Sequence, residues 1–220
     1  MSGGWLRPAV FGAMDGLVTN ISLIAGVGGG VAPGTIVLTG TAGLVAGGIS
    51  MALGEYTRVR AQNEQLAAEV AKERRELHKN PAAEADELAH RWIERGLPAD
   101  LAHSVADILK ENPDEALKVH VREELGMDPD SSPSLWLAAT SSFLCFSVGE
   151  LIPLLSYLLG SDSLWLALGI GGLGLFIAGA LTARFTRRHW LFSSLRQLSL
   201  GALAAAATYG AGTLIGVSAT

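Results

Sequence analysis

This 220-residue chain is poor in cysteine, aromatics and charge: one Cys, 6% Phe, Trp and Tyr, and 17% charged residues. A single thiol, Cys145, excludes an internal disulfide and leaves the redox compartment unread. So little charge excludes an ordinary soluble domain, where about a quarter of residues are charged. The charge that exists is confined. Seventeen of the 21 acidic residues lie between Glu64 and Asp130, and 11 of the 16 basic residues between Arg58 and Arg122. That segment carries a net charge of −6, which favours cations and argues against a nucleic-acid partner. The opening "MSGGWLRPAVFG" lacks a clean cleavage site, and its apolar run continues to spanning length, so no removed secretory signal is expected.

What is abundant is apolar: 49% hydrophobic residues and 27 glycines. A membrane-spanning helix needs roughly 20 such residues, and glycine is common where spanning helices pack closely. Five stretches qualify, at about 8–31, 35–56, 134–159, 164–185 and 195–217. "GGGVAPG" and "GSDS" read as the turns after the first and third. The expected architecture is an all-α membrane protein: spans one and two in 1–56, a small helical insert in 57–132, and spans three to five in 133–220. All 16 Lys and Arg fall on one side of that topology. The positive-inside rule then places the N-terminus and insert in the cytoplasm and the C-terminus outside it, with a bacterial inner membrane as the expected location. Trp136, Trp165 and Trp190 sit near span ends, where interfacial indoles belong.

Between Tyr56 and Lys79 there is neither Gly nor Pro, so span two is predicted to continue as helix into the insert. "NP" at Asn80–Pro81 starts a new helix that stops near Gly96, and "PADLAHSVADILKEN" and "PDEALKVHVREELG" give two more. Leu88, Trp92, Leu101, Val105, Leu109, Leu117 and Val121 recur at helical spacing as a candidate core.

Glu73 and Glu76 share a helix face, as do Glu84 and Glu87, and His120 and Glu124 are four apart. Packed together, these pairs repel unless a divalent cation joins them. Oxygen donors with one imidazole suit Fe2+, Mn2+ or Zn2+ better than copper(I). A solvated helix surface is the alternative, and Lys72, Arg74 and Arg75 fit it. In the membrane part, Asp15 lies about two turns into span one, with Thr19 one turn on. Met51 and Glu55 are one turn apart near the end of span two, and Glu150 sits in "FSVGELIPLL". A carboxylate in hydrocarbon costs about 2.5–3.5 kcal/mol, so such groups face a pathway or a partner. For Asp15 that partner is a passing cation or Arg7, and a snorkelling position is a further alternative; Glu55 is also explained as an interfacial residue near Arg58.

"DGLVTNISLIAGVGGG", "GGISMALGEYTRVRAQNE", "FSVGELIPLL" and "GALTARFTRR…LRQLSLGALAAAATYGAG", in this order over nearly the whole chain, resemble the vacuolar iron transporter family, which includes the nodulin-21-like proteins. The resemblance implies a homodimer with the path between protomers and proton-coupled export of Fe2+ or Mn2+ from the cytosol. It implies Asp15 and Met51 as pathway ligands and Glu73, Glu76, Glu84, Glu87 and Glu124 as ligands in the insert. Three features depart from the pattern. His120 stands where methionine is expected, Glu150 replaces a small residue, and span two has Gly43 and Leu44 where some members carry an acid. The departures leave Glu150 as a candidate relocated proton or ion site.

Two other readings compete. "EADELAH" contains Glu84, Glu87 and His90, and Glu-x-x-His is a di-iron ligand pattern, so a membrane-tethered ferroxidase is one. A membrane-anchored storage, sensing or interaction domain is the other, but an anchor needs neither five spans nor Asp15. The expected protein is a transporter and not an enzyme.

Overall fold

The computed structural model describes residues 6–27, 32–126, 128–130 and 132–218. The described residues form eight helices in the order α1 (Leu6–Val27), α2 (Pro33–Lys79), α3 (Pro81–Glu94), α4 (Ala99–Lys110), α5 (Pro113–Leu125), α6 (Leu135–Leu158), α7 (Leu164–Thr186) and α8 (Trp190–Ser218), with no strand among them. Five of these, α1, α2, α6, α7 and α8, are long and apolar enough to cross a membrane. The "GGG" of the first expected turn and the side chain of Arg7 lie outside the described residues.

The chain divides into two compact units, Met1–Thr57 with Ser134–Thr220, and Arg58–Pro133. α2 gives its apolar first half to one and its charged second half to the other. The absence of Gly and Pro after Tyr56 explains its unbroken 47-residue length. α8 begins at Trp190, five residues before the expected start, because "WLFSSLRQL" holds no residue that breaks a helix.

In the membrane unit α1 is central, packing on α6, α7 and α8. The α1–α6 contact is close enough to demand glycine on both sides. A Cβ at Gly16 would overlap the Phe146 carbonyl, and one at Gly149 would overlap that of Ala13. Leu17, Ile21 and Leu175 form one buried cluster here, and Ile24, Ile36, Tyr157 and Ala167 another. Ser134 and Ser163 open α6 and α7 by accepting hydrogen bonds from the Leu137 and Leu166 backbone N–H groups, both at 3.3 Å. Trp136, Trp165 and Trp190 are all exposed.

In the other unit two small cores hold the helices together. One joins Leu66 of α2 to Leu117 and Val121 of α5, with Val70 and Leu77 against it. The other joins Ala85 and Ala89 of α3 to Ala102 and Ala106 of α4. Of the expected core, Leu88, Leu117 and Val121 are buried, and Trp92 packs at its edge. Leu101 is 51% exposed: the buried face of α4 is its alanine face, turned by one residue from the leucine face that hydropathy selects.

Candidate metal centre

The insert cluster depends on two sharp changes of direction. Pro81 cannot extend α2, and Asn80 leaves the helical region, so α3 starts afresh with Pro at its first position. Asn112–Pro113 repeats the device for α5, where Asn112 Oδ1 accepts from the Glu115 backbone N–H at 3.4 Å. Gly126, left-handed at φ 62°, ends that helix.

These turns bring Glu73 of α2, Glu84 of α3 and His120 and Glu124 of α5 together. One ligand atom from each lies within 4.8 Å of all the others. From His120 Nδ1 it is 3.1 Å to Glu73 Oε1, 3.5 Å to Glu124 Oε1 and 3.9 Å to Glu84 Oε2. Glu73 and His120 are only 6% and 2% exposed. Glu73 Oε1, Glu124 Oε1 and His120 Nδ1 are buried and make no hydrogen bond. Three buried, converging atoms without hydrogen bonds need an explanation, and a shared cation supplies one.

The electrostatics agree. Burial pushes the Glu73 carboxyl up to about 7, and the charges of Glu124, Glu84, Glu76 and Glu87 add to the rise. Burial also raises Glu84, with Glu87, Glu124 and Glu76 acting the same way and Lys72 opposing. His120 is lowered by burial, against the pull of Glu124 and Glu87. Although 3.1 Å is an ion-pair distance, burial shifts both His120 and Glu73 toward their neutral forms, which weakens a charged pairing. A divalent cation between them would remove the electrostatic cost of holding these groups together.

Glu76 and Glu87 stand outside this convergence, near enough for their charges to act on Glu73. Glu76 is 4.0 Å from Lys72. Glu87 accepts a hydrogen bond from Arg91 at 3.0 Å, and the same guanidinium lies 3.4 Å from Glu124 Oε1. Arg91 thus tethers the edge of the cluster, a role that spacing alone did not suggest. His90 contacts the Asp86 carbonyl oxygen through Nδ1 at 2.9 Å on an exposed surface. His90 therefore does not join Glu84 in the cluster, which removes the basis of the di-iron pattern.

In the membrane unit Asp15 is exposed on α1, while Met51 and Glu55 are half-buried on α2. Glu150 is completely buried, and both its carboxylate oxygens lack a hydrogen bond. Asn20 of α1, not singled out by the sequence, donates from Nδ2 to the Glu150 carbonyl oxygen at 2.5 Å.

A family model described as VIT family matches residues 6–213. The chain is 34% identical over 214 residues to vacuolar iron transporter 1 of Oryza sativa subsp. japonica, covering 95% of this chain and 84% of the relative. It is 37% identical over 217 residues to the vacuolar iron transporter of Acanthamoeba castellanii, at 96% and 78% coverage. Against vacuolar iron transporter 1 of Arabidopsis thaliana it is 33% identical over 213 residues, at 94% and 85%. With five candidate spans, a match over almost its whole length and relatives named as transporters, the chain belongs to the VIT family and is an integral membrane transporter, not an enzyme.

Proposed function

We propose that the protein exports divalent iron, manganese or both from the cytosol in exchange for protons, and that its insert gathers the metal on the cytoplasmic face. Iron is what the relatives' names specify. Manganese, and Zn2+ as a further ligand for the insert, are supported by the chemistry of three carboxylates and one imidazole, an oxygen-rich set with one nitrogen. The observation that carries the reading is the buried convergence of Glu73, Glu84, His120 and Glu124, with Glu76 and Glu87 as nearby acids that raise the local cation concentration.

Asp15 and Met51 are the proposed ligands of the translocation path, with Glu55 toward its cytoplasmic end. An Asp15 exposed on the membrane unit would meet lipid in an isolated protomer, at about 2.5–3.5 kcal/mol on insertion scales. A second copy covering that face, with a hydrated path between the two, removes the penalty and supports a homodimer. The one-sided Lys and Arg distribution supports a cytoplasmic N-terminus and insert, with the C-terminus on the opposite face. That orientation suits the bacterial inner membrane of our expectation and an organelle membrane alike, since both present a face to the cytosol.

Proteoliposomes loaded with a metal-quenched fluorophore test this reading. Mn2+ and Fe2+ should enter faster when the lumen is acidic, and entry should alkalinise the lumen. Metal entry that ignores the proton gradient would remove the exchange mechanism, and no entry of either ion would remove the function.

A further inference from the structure

Glu150 lies about two-thirds of the way along α6 with none of its side chain exposed and no hydrogen bond to either carboxylate oxygen. Asn20 of α1 is just as enclosed. Its amide nitrogen is engaged by the Glu150 carbonyl, which leaves its Oδ1 without a donor. Both groups face one stripe of α2. A Cβ at Gly40 would lie 3.2 Å from Asn20 Oδ1, and one at Gly43 would lie 3.9 Å from Glu150 Oε2. Gly40 and Gly43 are three residues apart and share a helix face. The space over the two glycines is filled by methyl groups of Leu154 and Leu23, 2.7 and 2.5 Å from those Cβ positions, so an ion seated beside the two acceptor groups displaces the ends of these flexible side chains.

No basic side chain pairs with Glu150 among the described residues, and Asp15 adds a like charge to its surroundings. Acceptors gathered in an apolar interior without a donor are costly unless a proton or a metal ion answers them. We propose that Glu150 and Asn20 form an oxygen-donor site for a divalent metal ion inside the membrane unit, facing the Gly40–Gly43 stripe of α2. The proposal rests on the transport reading for its biological meaning, but the binding it claims is measured separately. Carboxylate and amide oxygens select a hard or borderline ion such as Mn2+ over copper(I).

The test uses the full chain in detergent with the insert cluster disabled by Glu73→Gln and His120→Ala, and reads Mn2+ binding by equilibrium dialysis. On this background Glu150→Gln, which keeps the shape and removes the charge, should weaken the remaining Mn2+ binding at least tenfold. Asn20→Leu should weaken it by a smaller factor. Glu150→Ala with Gly43→Asp returns a carboxylate to the same space from the other helix, and should restore affinity to within about threefold of the background. Binding unchanged by Glu150→Gln overturns the site, as does binding abolished by Asp15→Asn alone. A Glu150→Gln protein that binds Mn2+ normally but has lost proton coupling would make Glu150 a proton site and also overturn the proposal. Wild-type vesicles that fail to move metal would count against the transport reading, while the dialysis result still decides this one.

Discussion

Metal binding by the insert should depend on pH through Glu73 specifically. Its carboxyl is pushed up to about 7 by burial and by four neighbouring acids, so a cation binding there must displace a proton at neutral pH. Between pH 8 and pH 6 the ionised fraction of such a group falls from about nine-tenths to about one-tenth. Affinity should therefore fall about tenfold, or about 1.4 kcal/mol, from this residue alone. Burial lowers the His120 pKa, so its proton competes with metal less than that of a free imidazole would. Glu84, also raised by burial and neighbouring acids, adds to the loss of affinity at the acid end. Isothermal titration calorimetry with Mn2+ in two buffers of different ionisation enthalpy reads both quantities, with about half a proton released per ion near pH 7. Glu73→Gln should bind more weakly at pH 8 and show a clearly shallower pH dependence between 6 and 8. A flat wild-type profile, or an unchanged slope in Glu73→Gln, would refute the assignment.

Four further outcomes follow from the same contacts. Because folding raises the Glu73 pKa, the metal-free protein binds more protons folded than unfolded, so its stability should fall as pH rises from about 4.5 to about 7. Thermal melts at pH 6 and pH 8 should show a lower metal-free Tm at pH 8 and a larger Mn2+-induced rise there. Arg91→Ala removes the cation shared by Glu87 and Glu124 and should raise Mn2+ affinity about threefold by calorimetry; a fall would mean that Arg91 positions Glu124. His120→Ala should reduce Zn2+ affinity more than Mn2+ affinity, since imidazole favours zinc, and equal losses would argue against direct ligation. Gly149→Ala forces a methyl group into the Ala13 carbonyl and should destabilise the membrane unit by about 1–3 kcal/mol, seen as a lower melting temperature in fluorescence-detected size exclusion; an unchanged value would mean that α1 and α6 separate easily.

Much of the architecture is legible because the membrane imposes a length. Spans of about 20 apolar residues stand out whatever their packing partners, and a stretch without Gly or Pro carries α2 through to Lys79. The face of α4 is not legible in the same way. Hydropathy marks Leu101, but the contact with α3 is built from Ala102 and Ala106 against Ala85 and Ala89, and small residues that allow close approach look neutral on a hydropathy scale. In the candidate metal centre, helical spacing picks out carboxylates that converge in the fold but cannot separate Glu73 from Glu76. Only tertiary packing aims the first inward and leaves the second beside Lys72. Arg91 escapes because its long side chain reaches another helix, and Asn20 because an amide among apolar residues gives no periodic signal. For Asn20 the available cue was a polar side chain five residues beyond Asp15, within the same span.

The most direct test of the central claim is simultaneous recording of Mn2+ entry and luminal pH in proteoliposomes containing wild-type or Asp15→Asn protein at matched density. Wild-type protein should couple metal entry to proton exit, and Asp15→Asn should lose metal entry at least tenfold while the insert still binds Mn2+. Undiminished, proton-coupled metal entry by Asp15→Asn would contradict that claim.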